Sequence, residues 1–421
     1  MIRTDESAPS VSAHKAVSLA RLLCFVVPPT AALVAGFNGI QQVLVPGQVA
    51  AMDPANKVTT LAILTTFAAI TSMIGIPLGG SLSDRTRSRF GKRTPWIVGL
   101  SIVSAALMLA MGLSSNLVMF GIAYALLWLT ANMNQGALAA ILPDRVPESR
   151  RGLASAVLGL GPPIGALVGV NIASHVGPLP SYIVLAIGLV VTSVALVFGA
   201  REASSLMPVM NIEPSKESRS GLSGYFEAFR ERDFTFAFIS RFMLFMSYFT
   251  VSGYLFYTLS DYIGIKNVPD GNVPVAVSTL VTISVGVWVL IATFCGWLAD
   301  KLDRRKLFVG ISAVGLAATM VVPIISPTWM GMVVYSVLSG AFIGTYFAVD
   351  LAVMSLVLPR QDTVGRDLGI LTVATGLPQI MSSVVAGGLI TYAGGYPALY
   401  LFGGFCALLA GVVIFLIKKV R

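Results

Sequence analysis

Charge is what this chain has least of. Of 421 residues only 11% are Asp, Glu, Lys or Arg, while 56% are hydrophobic. Soluble domains carry about 25% charged residues, so a water-soluble core is excluded and a polytopic membrane protein is implied. Histidine is nearly absent: His14 and His175 stand far apart, and two isolated imidazoles make neither a catalytic set nor a metal site. Cysteine is scarce too. Cys24, Cys295 and Cys406 each fall in an apolar run without metal-ligating spacing, which excludes a disulfide framework and leaves them as small packing residues. The run G-L-G-P from Gly159 is followed by no G-K-S/T, so it is not a phosphate loop. No enzyme activity, cofactor or metal is expected.

Long apolar runs fill the chain instead. Crossing a bilayer takes about 20 mainly apolar residues. Twelve segments qualify: 20–46, 58–82, 94–114, 117–142, 152–175, 180–200, 234–263, 274–299, 307–326, 329–358, 367–392 and 396–417. Backbone groups in lipid must bond within their own segment, so each is predicted to be a helix.

Basic residues set the topology. With both termini in the cytoplasm, 25 of the 28 Lys and Arg fall in cytoplasmic pieces; Lys57 and Lys266 lie outside, and Arg241 lies within a span. Lys and Arg are retained on the cytoplasmic side. The net charge of +9 is therefore mostly topology, with attraction to anionic lipid heads, and not a nucleic-acid footprint. The first 18 residues are polar, contain Pro9 and lack a cleavable signal pattern, which reads as a disordered cytoplasmic tail.

The second half repeats the first. Gly80, Asp84, Pro143 and Arg150 recur as Gly296, Asp300, Pro359 and Arg366, all at one offset of 216. The expected organisation is a tail over 1–18, a six-helix bundle over 19–200, a cytoplasmic linker over 201–233 and a second bundle over 234–421. The end of the linker, 221–232, reads as a short surface helix with Leu222, Phe226 and Phe229 on one face. Parallel repeats of this kind place a site near the midplane between the halves.

Residues 80–96 read G-S-L-S-D-R-T-R-S-R-F-G-K-R-T-P-W, with five bases and one acid between two spans. The stretch resembles the loop between helices 2 and 3 of the major facilitator superfamily, G-x-x-x-D-R-x-G-R-R. Its longer form is similar to that of the glycoside and sucrose cation symporters of that superfamily. The resemblance implies an all-α membrane protein with twelve transmembrane helices in two pseudo-symmetric six-helix bundles. It also implies that Asp84 meets the start of the eleventh span near Asp367 and Leu368, while Arg85 and Arg93 pair with nearby acids. Asp300, followed by Arg304, would face the start of the fifth span near Gly152. Asp84→Asn would then cut transport while leaving membrane expression intact.

Asp350 is the one acid well inside a span and Arg241 the one base. Ionisable residues at membrane depth are costly and are functional-site candidates. At 1.5 Å rise per residue both lie on the order of 12 Å from the cytoplasmic boundary. Spans 7 and 10 line the cavity in the family, so the two can pair. A structural ion pair, a coupling carboxylate tuned by Arg241, and direct substrate contact are the three readings.

Polar and aromatic residues recur at helical spacing: Asn38, Gln41 and Gln42 in span 1; Tyr124, Trp128, Asn132 and Gln135 in span 4; Phe245, Tyr248 and Ser252 in span 7. Span 10 adds Tyr335, Phe342 and Tyr346, and span 11 adds Thr372, Thr375 and Gln379. Neutral amides bond hydroxyls and aromatic faces cover ring surfaces, which suits a sugar. The same stripes also serve as core packing and interhelical bonds. The candidate substrate-binding set is Asn38, Gln41, Gln42, Trp128, Asn132, Gln135, Tyr248, Tyr346 and Gln379.

Span 5 points elsewhere. Gly161, Gly165 and Gly169 follow G-x-x-x-G spacing, which permits close helix contact, and Pro162 and Pro163 can bend the helix. The segment resembles the G-P-x-x-G-G signature of drug–proton antiporters, with Ala166 in place of the last Gly. The leading expectation is a monomeric carrier in the cytoplasmic membrane, working by alternating access and taking up a sugar or glycoside with protons. Proton-coupled efflux of a drug-like or secondary metabolite is the alternative, and a non-transporting sensor or lipid-moving protein the second.

Overall fold

The computed structural model describes residues 18–202, 228–302, 304–357 and 364–417, without the side chains of residues 148, 300, 351, 355 and 364–368. Residues 1–17 and 203–227, where the sequence places the tail and most of the linker, lie outside the described residues. The end of the expected surface helix over 221–232 is described, as a 3-10 turn at Ala228–Arg230 followed by extended backbone at Glu231.

Every regular element among the described residues is helical, and twelve helices are long and apolar enough to cross a membrane. They are α1 Leu19–Met52, α2 Lys57–Arg85, α3 Thr94–Leu113, α4 Leu117–Arg145, α5 Arg151–His175 and α6 Pro178–Gly199. The second set is α7 Arg232–Ser252, α8 Val273–Ala299, α9 Arg305–Ile325, α10 Trp329–Met354, α11 Gly369–Tyr392 and α12 Gly395–Phe415.

The packing repeats as the sequence does. In the first set α1 packs on α5 and α6, α2 on α4, and α3 on α4 and α6. Adding six to each number gives the packing of the second set: α7 on α11 and α12, α8 on α10, α9 on α10 and α12. Two pairs carry most of the contact between the sets, α2 with α11 and α5 with α8. Exchanging the halves exchanges these pairs, so the 216-residue offset is a spatial pseudo-twofold between two six-helix bundles.

Helices in lipid gain little from burying apolar groups against one another and rely on close backbone approach. Two glycines show how close. A Cβ at Gly79 of α2 would lie 1.9 Å from the Met133 carbonyl oxygen of α4, and one at Gly169 of α5 would lie 2.0 Å from that of Ala35 on α1. The G-x-x-x-G face of α5 is thus turned onto α1.

Four departures from the expected spans have local causes. The first helix runs on to Met52 through a π-helical turn at Ile40–Leu44, where Pro46 cannot donate to the Gln42 carbonyl and the backbone widens before it. The second reaches Arg85, placing Asp84 on the helix rather than in the loop; the Thr86 hydroxyl donates back to the Leu82 carbonyl at 2.8 Å. In α5, helical segments Arg151–Leu158 and Gly161–His175 are separated because Pro162 and Pro163 supply no N–H. After α7, Gly253 and Tyr254 interrupt the helix before Leu255–Tyr257 and a second π-helical turn, Thr258–Gly264.

Candidate functional site

The amides of α1 divide by what they bond. Gln42 donates to the Asn38 side-chain oxygen at 2.7 Å, and Asn38 donates to the Val34 carbonyl at 3.0 Å. Both are engaged along their own helix. Gln41, in the π-helical turn, faces a small cavity with Thr65 of α2, Tyr124 and Trp128 of α4, and Gln379 and Ser383 of α11. Its volume is about 10 Å³, room for about one water. No charged side chain lines it. The Tyr124 hydroxyl is buried without a hydrogen-bond partner. Trp128 is held on one side by the stacked ring of Phe37 at 4.7 Å and edge-on by Tyr124 at 6.1 Å.

Two other residues of the α4 stripe go elsewhere. Asn132 donates to the Trp128 carbonyl at 2.8 Å, and its Cβ lies at the close contact with Gly75 of α2. Gln135 lines a separate cavity of about 290 Å³ between α1, α4 and α5, together with Thr30, Val34, Leu138, Ser155 and Leu158.

In the second bundle Arg241 and Asp350 meet. Arg241 Nη1 is 2.8 Å from Asp350 Oδ2, its Nε donates to Thr375 Oγ1 at 3.0 Å, and its guanidinium lies 5.5 Å from the centre of the Phe245 ring. Asp350 is 2% exposed, and its Oδ1 has no hydrogen-bond partner. One turn earlier on α10, the buried Tyr346 hydroxyl also lacks one, and its ring meets Phe245 edge-on at 5.9 Å. Tyr248 is half-buried on α7, its ring 5.5 Å from that of Phe249.

The face where the described chain begins, at Ser18, and ends, at Ile417, here the terminal face, holds a second ionic cluster. Arg93 is 4% exposed. It pairs with Asp84 and, at 3.0 Å, with Asp144, and donates to the Gly80 carbonyl at 3.2 Å. Lys92 joins Asp144 at 2.9 Å. Glu202 accepts from the backbone N–H of Arg93 and Thr94 at 2.9 and 3.1 Å, placing a carboxylate on the positive end of α3. Arg85 and Arg304 are exposed. The side chains of Asp300 and Asp367 lie outside the described residues, so the contacts the resemblance implies for them do too.

The halves join at the opposite face through contacts that spacing does not reveal. Lys57 Nζ is 2.6 Å from Asp261 Oδ1, whose Oδ2 accepts from the Tyr396 hydroxyl at 2.9 Å. Tyr257 donates to the Pro46 carbonyl at 3.1 Å, and Asn171 to the Thr282 hydroxyl at 3.0 Å. Near Asp261, the Thr60 hydroxyl donating to Asp53 at 2.8 Å holds that carboxyl below the usual carboxylate range. Partly exposed ion pairs contribute at most about 1 kcal/mol. Lys57→Met is therefore expected to raise the population open at this face by roughly fivefold at most. The rate at which a thiol reagent labels a cysteine placed at Ser383 would measure this, and an unchanged rate would remove the latch role.

The sequence profile of the Major Facilitator Superfamily matches residues 29–289 and 237–421. A lactose permease of Lactobacillus delbrueckii subsp. bulgaricus is 28% identical over 292 residues, 63% of this chain and 42% of that protein. Monocarboxylate transporter 12-B of Danio rerio is 28% identical over 130 residues, 30% of this chain and 27% of that protein. The chain thus spans less than half the length of either relative. Among solved structures, a peptide transporter POT in complex with sulfate aligns with TM-score 0.72 and 14% identity over 94% of both chains. A POT family transporter in complex with 5-aminolevulinic acid aligns with TM-score 0.73 and 13% identity, over 94% of this chain and 96% of that one. At these identities the structures share the fold.

Proposed function

The chain belongs to the Major Facilitator Superfamily and is a multi-pass membrane transporter; from that premise we propose that it takes up a neutral sugar or glycoside together with protons. The observation that carries this reading is the lining of the small cavity shared by Gln41, Tyr124, Trp128 and Gln379, where amides and a buried hydroxyl meet an indole and no charge. It is closed here to about one water, and a sugar enters it only as the bundles part. Amides donate to and accept from sugar hydroxyls, and an aromatic face covers the apolar side of a pyranose. The lactose permease likeness supports the same class. A carboxylate substrate, as the name of the other relative suggests, would need a cation in the cavity, and the half-buried Arg241 is already neutralised by Asp350.

In this reading α1, α2, α4 and α11 bring the two bundles to one solute, and the bundles rock about it to expose it to either face. Asp350 carries the proton. Arg93, Asp84 and Asp144 brace the terminal face, which the Lys and Arg placement assigns to the cytoplasm of a cell with this protein in its plasma membrane.

Proton movement in proteoliposomes tests the proposal. Adding a mono- or disaccharide outside should alkalinise the external medium. Silence with every sugar, beside a response to a lipophilic cation, would overturn uptake in favour of export. Gln41→Ala and Gln379→Ala each remove a side-chain bond worth about 1–1.5 kcal/mol, so KM for the sugar should rise about tenfold with kcat little changed. A KM equal to the unmodified protein's in both would remove this cavity from the substrate path.

A further inference from the structure

The basic stretch at the terminal face splits into two populations. Lys92 and Arg93 are drawn into the cluster with Asp84 and Asp144. Arg85, Arg87 and Arg89 are exposed, and none is ion-paired to a described residue. The acid of the stretch, Asp84, is already held by Arg93, so among the described residues three positive charges within five positions have no acidic partner. Beside them Phe90 is 55% exposed, with the Arg89 guanidinium 4.8 Å from the centre of its ring.

The pattern recurs around the same face. At the pseudo-symmetric end of α8, Lys301 lies 5.1 Å from the ring of Trp297, which is 58% exposed. At the start of α7, Arg232 lies 5.1 Å from the Phe236 ring. Among the described residues the opposite face has one such pair, Lys57 with Tyr257, and it is enclosed in the latch between the halves. A ring left in water forgoes more in lost burial than a neighbouring cation returns. At a membrane boundary the ring enters the acyl region while the cation stays at phosphate level.

We propose that Arg85, Arg87, Arg89 and Phe90 form a docking site for the headgroup of an anionic phospholipid, with Lys301–Trp297 and Arg232–Phe236 as further anchors on the same leaflet. The three arginines select an anionic over a zwitterionic headgroup. The exposed phenyl ring selects a phosphate attached to acyl chains over one free in water. The site is independent of the solute cavity, since none of its residues lines it.

The test is native mass spectrometry of the full-length protein in detergent, titrated with phosphatidylglycerol or phosphatidylcholine. The unmodified protein should bind the anionic lipid at least tenfold more tightly, and about 1 M salt, where the screening length is about 3 Å, should erase the preference. Each cation near an anionic surface contributes enough that Arg85→Gln/Arg87→Gln/Arg89→Gln should weaken phosphatidylglycerol binding roughly a hundredfold. Phe90→Ser should weaken both lipids and keep the headgroup preference, and Lys266→Gln on the opposite face should change neither. Unaltered phosphatidylglycerol binding by the triple variant would overturn the site. So would displacement of the lipid by millimolar inorganic phosphate, which would make the phosphate alone the ligand. Should the triple variant fail to fold, the unmodified protein decides: a preference that persists in high salt overturns the proposal.

Discussion

Asp350→Asn is expected to abolish accumulation of the solute against its gradient while solute-for-solute exchange continues. The carboxylate is buried, one oxygen is held by Arg241 at 2.8 Å, and the other has no second cation, only the Tyr346 hydroxyl beside it. That second oxygen is where a proton can be taken up. Protonation would end the charge pairing and leave Arg241 bonded to Thr375, so the tie between α7 and α10 depends on whether a proton is present. Asn has nearly the same shape but cannot cycle. One proton moving with the solute through about 100 mV contributes about 2.3 kcal/mol, roughly a fiftyfold concentration ratio. The variant should lose that ratio, measured as labelled solute retained by energised proteoliposomes, and keep counterflow. Uphill accumulation equal to the unmodified protein's would place the proton elsewhere.

The partner separates coupling from scaffolding. Arg241→Leu leaves a buried carboxylate without its cation, and stripping one member of such a pair costs about 3–5 kcal/mol. The single variant should therefore unfold at a clearly lower temperature in detergent. Arg241→Leu/Asp350→Leu removes both charges and should regain most of that stability while remaining uncoupled. A double variant less stable than both singles would contradict a simple pair and point to Thr375 or Tyr346 as a third member.

Much of this was legible in the sequence because lipid imposes simple rules. Apolar runs of bilayer length, basic residues kept to one side and a 216-residue register are local or periodic features, and they gave twelve spans and two related halves. Asp350 and Arg241 stood out because charge within a span is so rare. Which side chain faces which neighbour was less legible. Asn38 and Gln42 share the α1 stripe with Gln41, yet a π-helical turn rotates the register there, and only Gln41 faces the cavity. Asn132 keeps perfect spacing with Trp128, but Gly75 lets α2 approach on that side, and its amide bonds its own helix. The Lys57–Asp261 contact joins residues 204 positions apart, and neither carried a motif. Lys57 was visible only as a base outside the cytoplasmic pieces, which was the signal available. Asp144 and Glu202 were also missed, since an acid at a span end looks like a solvated charge until the fold brings Arg93 and the start of α3 beside it.

Arg93 and Asp84 belong to one cluster but are expected to fail differently. Arg93 is nearly fully buried and links Asp84, Asp144, Ser83 and the Gly80 carbonyl, so it fastens the ends of α2, α3 and α4 together. Arg93→Leu leaves Asp144 with Lys92 alone and removes the buried bonds to Ser83 and the Gly80 carbonyl, a loss of about 1.5–3 kcal/mol. That is a large part of the stability of most folded domains. The variant should be recovered in low yield and aggregated, seen as loss of the monodisperse peak on size-exclusion chromatography. Asp84 has a side chain 57% exposed, and pairs open to water contribute about 1 kcal/mol or less. Asp84→Asn should therefore fold and insert normally, and any loss of transport it shows belongs to movement between the halves rather than to assembly. The two variants in parallel separate brace from gate. If Arg93→Leu folds and transports normally, the cluster is dispensable to both. If Asp84→Asn folds and transports at full rate, the cluster only holds the first bundle together, and closure of the terminal face must rest on groups in the second.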